Sequence, residues 1–445
     1  MWTSIGNSEM LIRPRMVQMS REPTPKEIIK LIAEQDRYRA RYRKLQNYYE
    51  GYNSIIHRSM RDTTKPNNRL VSGYPAYITD LMQGYFIGKP VTYTSANKEL
   101  IRLIQDINNY NDEQDENSEL AKIASIKGRA YEIVYFDEDS QIRFNELDPE
   151  NVIMVYDDSI NPEPLVAIRI ISDKRCEVYT RTEVIEYRID GSRLIQEGRD
   201  MHGFSQVPII EFLNNKEGIG DFERVISLID AYDRAQSDTA NDFEEFTDAF
   251  LCLVNLNGTD REDIEQLKRN KVLLLDEQGD AQWLIKNIND AALENYKNRL
   301  NDDILRFAKI PDVTDNNFVG NASGVAMKYK LLALDQVIAT KQRKFKRAIQ
   351  RRLELICEAL SLKRDEPVTD EPGNYDYRDI QINFEVNKPI DEKAMLDVAI
   401  AMMGITSTAT ALSRVPGVDD VEKELEAIAQ ERGAYAMTLD EVPDE

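Results

Sequence analysis

The period of the apolar positions changes several times along the chain, and each change predicts a different element. Thr24-Pro25-Lys26-Glu27 is a capping box with proline at the first helical position, so a helix should run from there to about Tyr49. A second helix is expected over residues 69–84, then the turn Gly88-Lys89-Pro90 and a strand at 91–93. Residues 108–119, acidic and rich in asparagine, read as a loop. From 131 to 213, alternating and β-branched runs broken by turn residues predict strands at 132–136, 152–156, 165–171, 177–180, 183–189 and 208–213. Asp190-Gly191 is a hairpin turn within that series.

The period becomes helical at Gly220. Phe222, Val225, Ile229, Tyr232, Thr239, Phe243, Phe246 and Phe250 predict a single helix of about 30 residues, about 45 Å long. A compact insert follows, with a strand at 251–256, a short helix capped by Thr259-Asp260, and strands at 271–275 and 282–285. Asp290 then opens a helix that Pro311 ends, and residues 312–324, polar and without lysine or arginine, read as a loop. Leu331, Leu334, Ile338, Phe345, Ile349, Leu353, Ile356 and Leu360 predict a second long helix over 325–362. Residues 379–386 alternate like a strand returning to the sheet region. Asp391 caps a helix ended by Gly404, and shorter helices follow before an acidic tail at 439–445. A mostly antiparallel sheet region with separate runs of helices makes the fold class α+β.

At 445 residues the chain exceeds a single hydrophobic core, so two or more domains are expected. The net charge of −22 opposes a protein that grips nucleic acid over its whole surface. It suits one that nucleic acid must pass without sticking, and equally any soluble protein. Charge is unevenly spread: residues 220–250 hold nine acids against two arginines. The long helix at 325–362 is basic, with Lys328, Lys330, Lys341, Arg343, Lys344, Lys346, Arg347, Arg351 and Arg352. The expectation is that the two long helices pair their opposite charges, within one chain or between chains. The first helix ends with Arg37, Arg39, Arg41, Arg43 and Lys44 around Tyr38 and Tyr42, which suits either nucleic acid or pairing with acidic neighbours.

Cys176, Cys252 and Cys357 are far apart and odd in number, which points to a reducing compartment rather than a disulfide framework. Neither a signal peptide nor an apolar stretch of membrane-spanning length is present, so cytoplasm-like conditions and no membrane partner are expected. His57 and His202 have no ligand-like neighbours, no GxSxG elbow occurs, and Gly218-Ile219-Gly220 lacks the third glycine of a dinucleotide fingerprint. Gly84 to Lys89 has three residues between its glycines, where a phosphate loop needs four, and proline follows the lysine. No catalysis, metal or cofactor is expected.

Two stretches resemble the signature of the portal proteins of siphophages, the tailed double-stranded-DNA bacteriophages. One is Asn68-Arg69-Leu70-Val71 with Gly84-Tyr85-Phe86-Ile87-Gly88-Lys89-Pro90-Val91. The other is Gly220-Asp221-Phe222-Glu223-Arg224-Val225 with Leu228-Ile229-Asp230-Ala231-Tyr232, Ser237-Asp238, Asn241 and Phe243-Glu244. The resemblance spans roughly residues 25–435. It implies a homo-oligomeric ring, usually of twelve subunits, at one capsid vertex, through which DNA is packaged and ejected. It further implies a wing over 1–219 with strand 378–388, stem helices over 220–250 and 290–310, and a clip over 251–289. A channel loop over 311–324, a long wing helix over 325–362 and a crown over 391–445 complete the implied order; the crown is short by the family's pattern.

By the same resemblance the loop faces DNA, through Asp312, Thr314, Asn316, Asn317, Phe318, Val319, Asn321 and Ser323. Side chains without a cation touch a phosphate backbone weakly and whatever its sequence, which suits sliding. The implied partners are the large terminase subunit, which hydrolyses nucleotide in place of the portal, a head-tail adaptor, and the major capsid and scaffolding proteins. Two rival readings are a virion scaffold or adaptor without a channel, and a nucleotide-dependent enzyme using Gly84 to Lys89.

Overall fold

The computed structural model describes residues 16–60, 62, 65–246, 250–254, 280–284, 290–312, 324–363, 375–388, 392–415, 417–418, 421 and 423–430. After β1 (Val17–Gln18), α1 (Pro25–Tyr49) begins and ends where the capping box and the pattern predict, with both Thr24–Glu27 hydrogen bonds formed. The second helix, α2 (Tyr74–Ile87), starts later than expected because residues 68–72 are extended and give their backbone N–H groups to another element. Then come β2 (Thr92–Thr94) and α3 (Lys98–Tyr110).

The expected acidic loop at 108–119 is instead the end of α3, a tight turn with Asp112 at φ 48°, and the start of α4 (Glu113–Lys127). Acids in a first helical turn favour the N-terminal end of the helix dipole, and Glu113, Glu116 and Asn117 are buried rather than solvated. Polar composition concealed an inward-facing polar cluster.

The strands β3 (Arg129–Phe136), β4 (Ile142–Leu147), β5 (Val152–Tyr156), β6 (Pro164–Ser172), β7 (Arg175–Tyr179), β8 (Glu183–Asp190), β9 (Arg193–Met201) and β10 (Ile209–Leu213) include every strand expected in this region. They also include β4 and β9, which the pattern does not predict. β9 is mostly polar, with Leu194 packed against the core beneath the sheet, and it pairs with β8 across the expected turn. One sheet has the order β1-β5-β6-β7-β8-β9, and a second has β10-β3-β4. The run Val152-Ile-Met-Val is apolar throughout because both faces of β5 are covered. Ile153 and Val155 pack with Ile28 and Leu31 of α1, while Val152 and Met154 pack with Tyr131, Val207 and Ile209.

The long helix expected from Gly220 is shorter. A single 3-10 turn at Glu223–Val225 precedes α5 (Ile226–Phe246), because the chain at 218–221 crosses residues 125–128 backbone to backbone. Asp221 donates its N–H to Ser125 O, and a Cβ on Gly220 would lie 2.2 Å from Ile126 O. Only glycine permits that approach. In the insert, β11 (Phe250–Val254) pairs antiparallel with β12 (Asp280–Leu284); the expected short helix and the strand at 271–275 lie outside the described residues.

α6 (Asp290–Ala308) stops short of Pro311, and α7 (Gly324–Lys363) runs for 40 residues, about 60 Å. Near the end of this unit, β13 (Gln381–Asn383) pairs with β2 instead of joining either larger sheet. Helices α8 (Glu392–Met402) and α9 (Thr408–Leu412) fall in a second compact unit, where Gly404 takes φ 85° just after α8.

Candidate functional site around the helices α5, α6 and α7

The extended segment 68–72 and α5 form a polar ladder. Asn68, Leu70 and Ser72 donate their backbone N–H groups to Asn241 Oδ1 at 2.7 Å, Ser237 Oγ at 2.9 Å and Asp233 Oδ1 at 2.7 Å. The periods match: four residues of helix rise about 6 Å, and two extended residues span about 6.6 Å. Alternate backbone donors of one segment therefore meet side chains four apart on the other. Further acids of α5 are engaged by residues between Tyr48 and Asn68. Tyr48 and Ser54 both donate to Asp230 at 2.7 Å, Arg58 pairs with Asp238, and Asn68 Nδ2 donates to Glu244. Burial pushes the Asp233 carboxyl above its ordinary range, opposed by its bonds from Asn53 and Ser72.

α6 lies against α5 with Lys297 donating to Gln236 Oε1. Tyr74 bridges the two helices: its ring meets Tyr232 edge-on at 5.2 Å, and its hydroxyl donates to Asn301 Oδ1 at 2.7 Å. Beside this contact is an open cavity of about 560 Å³, lined by Tyr74, Tyr77, Tyr232, Gln236, Leu305 and Asp312.

α7 is anchored from Asp335 to Arg352. Asp335 accepts from Tyr85 at 2.6 Å, and Phe345 meets Phe86 and Phe212 edge-on. Lys341 forms a buried ion pair with Asp221, which also accepts from Ser125 Oγ. Arg352, 1% exposed, donates twice to Glu132, once to Glu113 and once to Asn117, with its guanidinium over the Phe144 ring. Burial, the Glu132 charge and a hydrogen bond with Glu146 push the neighbouring Glu116 carboxyl up to about 9. At the root of α5, Arg41 donates twice to Glu223 and also to Lys127 O and Gly218 O.

The expectation that the two long helices pair their charges with each other is therefore corrected for pairing within one chain. The named acids of α5 are taken by residues 48–72, and the buried cations of α7 pair with Asp221 and with α4 and β3. Of the cations late in α1, Arg39 pairs with Asp36 and Arg43 with Glu150, whereas Arg41 is buried rather than on a solvated face. Gly84 lies inside α2 and Lys89 pairs with Glu385, so these residues form no phosphate loop.

Of the expected site residues, Asp312 lines the cavity; Thr314, Asn316, Asn317, Phe318, Val319, Asn321 and Ser323 lie outside the described residues. The structure does join the two sequence stretches singled out above, Asn68 and Leu70 of one to Ser237, Asn241 and Glu244 of the other. Sequence reasoning missed the ladder, although Asp233, Ser237 and Asn241 at four-residue intervals on one helix face are a visible signal. It also missed Asp221–Lys341 and Arg352–Glu132, which no local pattern announces. Among the described residues no group of His, Cys, Asp and Glu could hold a metal ion, and no helix is long and apolar enough to cross a membrane.

Comparison with known proteins bears on what this arrangement serves. The portal protein of Bacillus phage SPP1 is 26% identical over 422 residues, covering 88% of this chain and 81% of that one. The portal protein of Clostridium phage phiCD119 is 24% identical over 433 residues, covering 88% of this chain and 93% of that one. Two solved structures, the neck of an empty GTA particle with C6 symmetry and that of a native particle with C12 symmetry, are 12% identical with TM-scores of 0.45 and 0.44. Each match covers 76% of this chain and 88% of the other. The family model described as phage portal protein, SPP1 Gp6-like, matches residues 28–436, and the chain belongs to that family.

Proposed function

We propose that this chain is the repeating subunit of a portal ring at one vertex of a phage head, forming the channel for DNA entry and exit. The observation that carries the reading is the family match over residues 28–436. In this reading 1–219 with 378–388 form the wing, 220–250 and 290–310 the stem, and 251–289 the clip. Residues 311–324 are the channel loop, 325–362 the long wing helix and 391–445 the crown. A channel-loop role for 311–324 is supported by the anchoring of the helices that bracket it: α6 is held by Tyr74 and Gln236, and α7 by aromatic and buried ion-pair contacts from Asp335 onward.

The ring, of about twelve copies by analogy with its family, binds the large terminase subunit during packaging and a head-tail adaptor afterwards, and sits among the major capsid and scaffolding proteins. Double-stranded DNA passes without sequence readout, and the energy comes from the terminase, the portal itself being a structural protein and no enzyme. Assembly takes place in the host cytoplasm and the product resides in the virion. Electron microscopy of the purified full chain tests the reading. Closed rings with a central hole are expected; filaments, or monomers and dimers only, over a wide range of concentration and salt would favour a scaffold or adaptor without a channel.

A further inference from the structure

Two patches of uncompensated charge, opposite in sign, lie on the large unit. The first is on α7. Lys341 and Arg352 are buried in ion pairs, but Arg343, Lys344, Lys346 and Arg347 form no ion pair with any described carboxylate. Arg343 turns back on its own helix, donating to Ala339 O at 3.1 Å, and Arg347 donates to the amide oxygen of Asn161 at 3.3 Å. The carboxylates bordering this face are already engaged, Glu163 by Asn161 and Glu354 by Arg351 and Gln206. Like charges three and four residues apart disfavour an isolated helix, so this cluster is a cost that a partner of opposite charge removes.

The second patch is the corner where the β3–β4 turn meets the α3–α4 junction. Asp112, Asp115, Glu138 and Asp139 are exposed and form no ion pair with any described cation. The corner is held together by Tyr110 donating to Asp137 at 2.9 Å and by Asn111 Nδ2 donating to Ile142 O at 3.0 Å. The cation there, Arg143, is used locally: it lies 4.5 Å from the centre of the Tyr110 ring and donates to Tyr110 O.

The two patches cannot meet within one copy. Arg352, nine residues beyond Arg343, lies about half a turn round the helix axis from it. Arg352 reaches Glu113 and Asn117 at the start of α4, so the acidic corner beside them is behind α7 and the cationic face points away from it. A ring built from copies that each carry −22 must also bring like-charged bodies edge to edge. Local matching of opposite patches offsets that repulsion and fixes the register.

We propose that the cationic face of α7 is the docking surface for a second copy of this chain, which fills it with its Asp112, Asp115, Glu138 and Asp139 corner. This rests on the ring reading above and deepens it by naming a head-to-tail contact with two different patches per copy, the kind that closes rings. Two full-length variants test it, Arg343→Glu/Arg347→Glu and Glu138→Lys/Asp139→Lys. All four positions are exposed, so thermal unfolding of the subunit should be unchanged, and the neutral pair Arg343→Gln/Arg347→Gln serves if the reversed one fails to fold.

Mass photometry and electron microscopy at physiological ionic strength should show each charge-reversed variant unable to close rings. Mixing the two should restore rings in which the variants alternate, and combining all four changes in one chain should restore rings as well; the neutral pair should assemble more weakly than the unmodified chain. Rings from either reversed variant alone, or no rescue by mixing or by the combined chain, would overturn the contact while leaving the ring reading intact. Rings that persist but no longer retain duplex DNA would assign the face to DNA and overturn the proposal. Absence of rings from the unmodified chain would remove the ring reading itself.

Discussion

Arg352 and Glu116 occupy the same buried polar cluster, yet their removal should have opposite consequences. Taking away one member of a buried ion pair strands the other charges, at a cost of about 3–5 kcal/mol. Arg352→Met should therefore lower stability by about that amount, with Glu132 and Glu113 left unpaired. Adding Glu132→Gln should recover part of the loss; a urea-unfolding midpoint unchanged in Arg352→Met would contradict this account. Glu116 behaves differently because burial keeps its proton on up to about 9, while the unfolded chain releases it near the ordinary 4.5. Between those values the native state binds more protons than the unfolded one, so stability falls as pH rises. Glu116→Gln mimics the neutral form, and its stability relative to the unmodified protein should improve from about pH 5 to about pH 8. An identical difference at both values would remove Glu116 as the source.

Elements here are joined by matched periods as much as by apolar packing. The ladder between α5 and residues 68–72 satisfies backbone donors that have no strand partner, and leaving such a donor unmet costs about 1–3 kcal/mol. Ser237→Ala strips the acceptor from Leu70 N and should destabilise by about that amount. Hydrogen exchange should report it locally, as faster exchange at Leu70 with the β5–β6 amides unchanged. Equal acceleration throughout the chain would argue that the ladder is no separate unit. The Gly220 crossing is stricter, since a Cβ would meet backbone rather than a side chain that can turn away. Gly220→Ala should cost more than Ser237→Ala in the same unfolding measurement, and a smaller effect would mean that residues 125–128 give way easily.

Assembly and the proposed channel-loop role of 311–324 belong to the whole molecule. Removing Asn316 to Ala322 shortens a segment whose flanking helices are independently anchored, so ring assembly should survive while packaged DNA is lost or under-filled. Virions with the shortened loop that hold full-length genomes would reduce the segment to a connector. If the proposed clip, 251–289, docks the terminase, replacing it with a short linker should spare folding of the proposed wing and abolish terminase binding; normal binding by that variant would place the docking site elsewhere.

The amino-acid order by itself determined α1 to the residue, the long uninterrupted α7, and six of the eight strands from β3 to β10. In each the signal is local: a capping box, a proline-free 3.6-residue period, or β-branched alternation between turns. Its resemblance to the portal signature also pointed to the family. Tertiary structure decided what local pattern cannot carry. The acids of 108–119 became helical because Glu113, Glu116 and Asn117 gather round a cation 235 to 239 residues away in sequence. β9 exists because β8 pairs with it, and α5 starts late because two glycine-dependent backbones cross at its root. Partners this distant leave no periodic trace in the chain. Which charge is buried, which is spent within the subunit and which remains for a neighbour is set only when the elements pack.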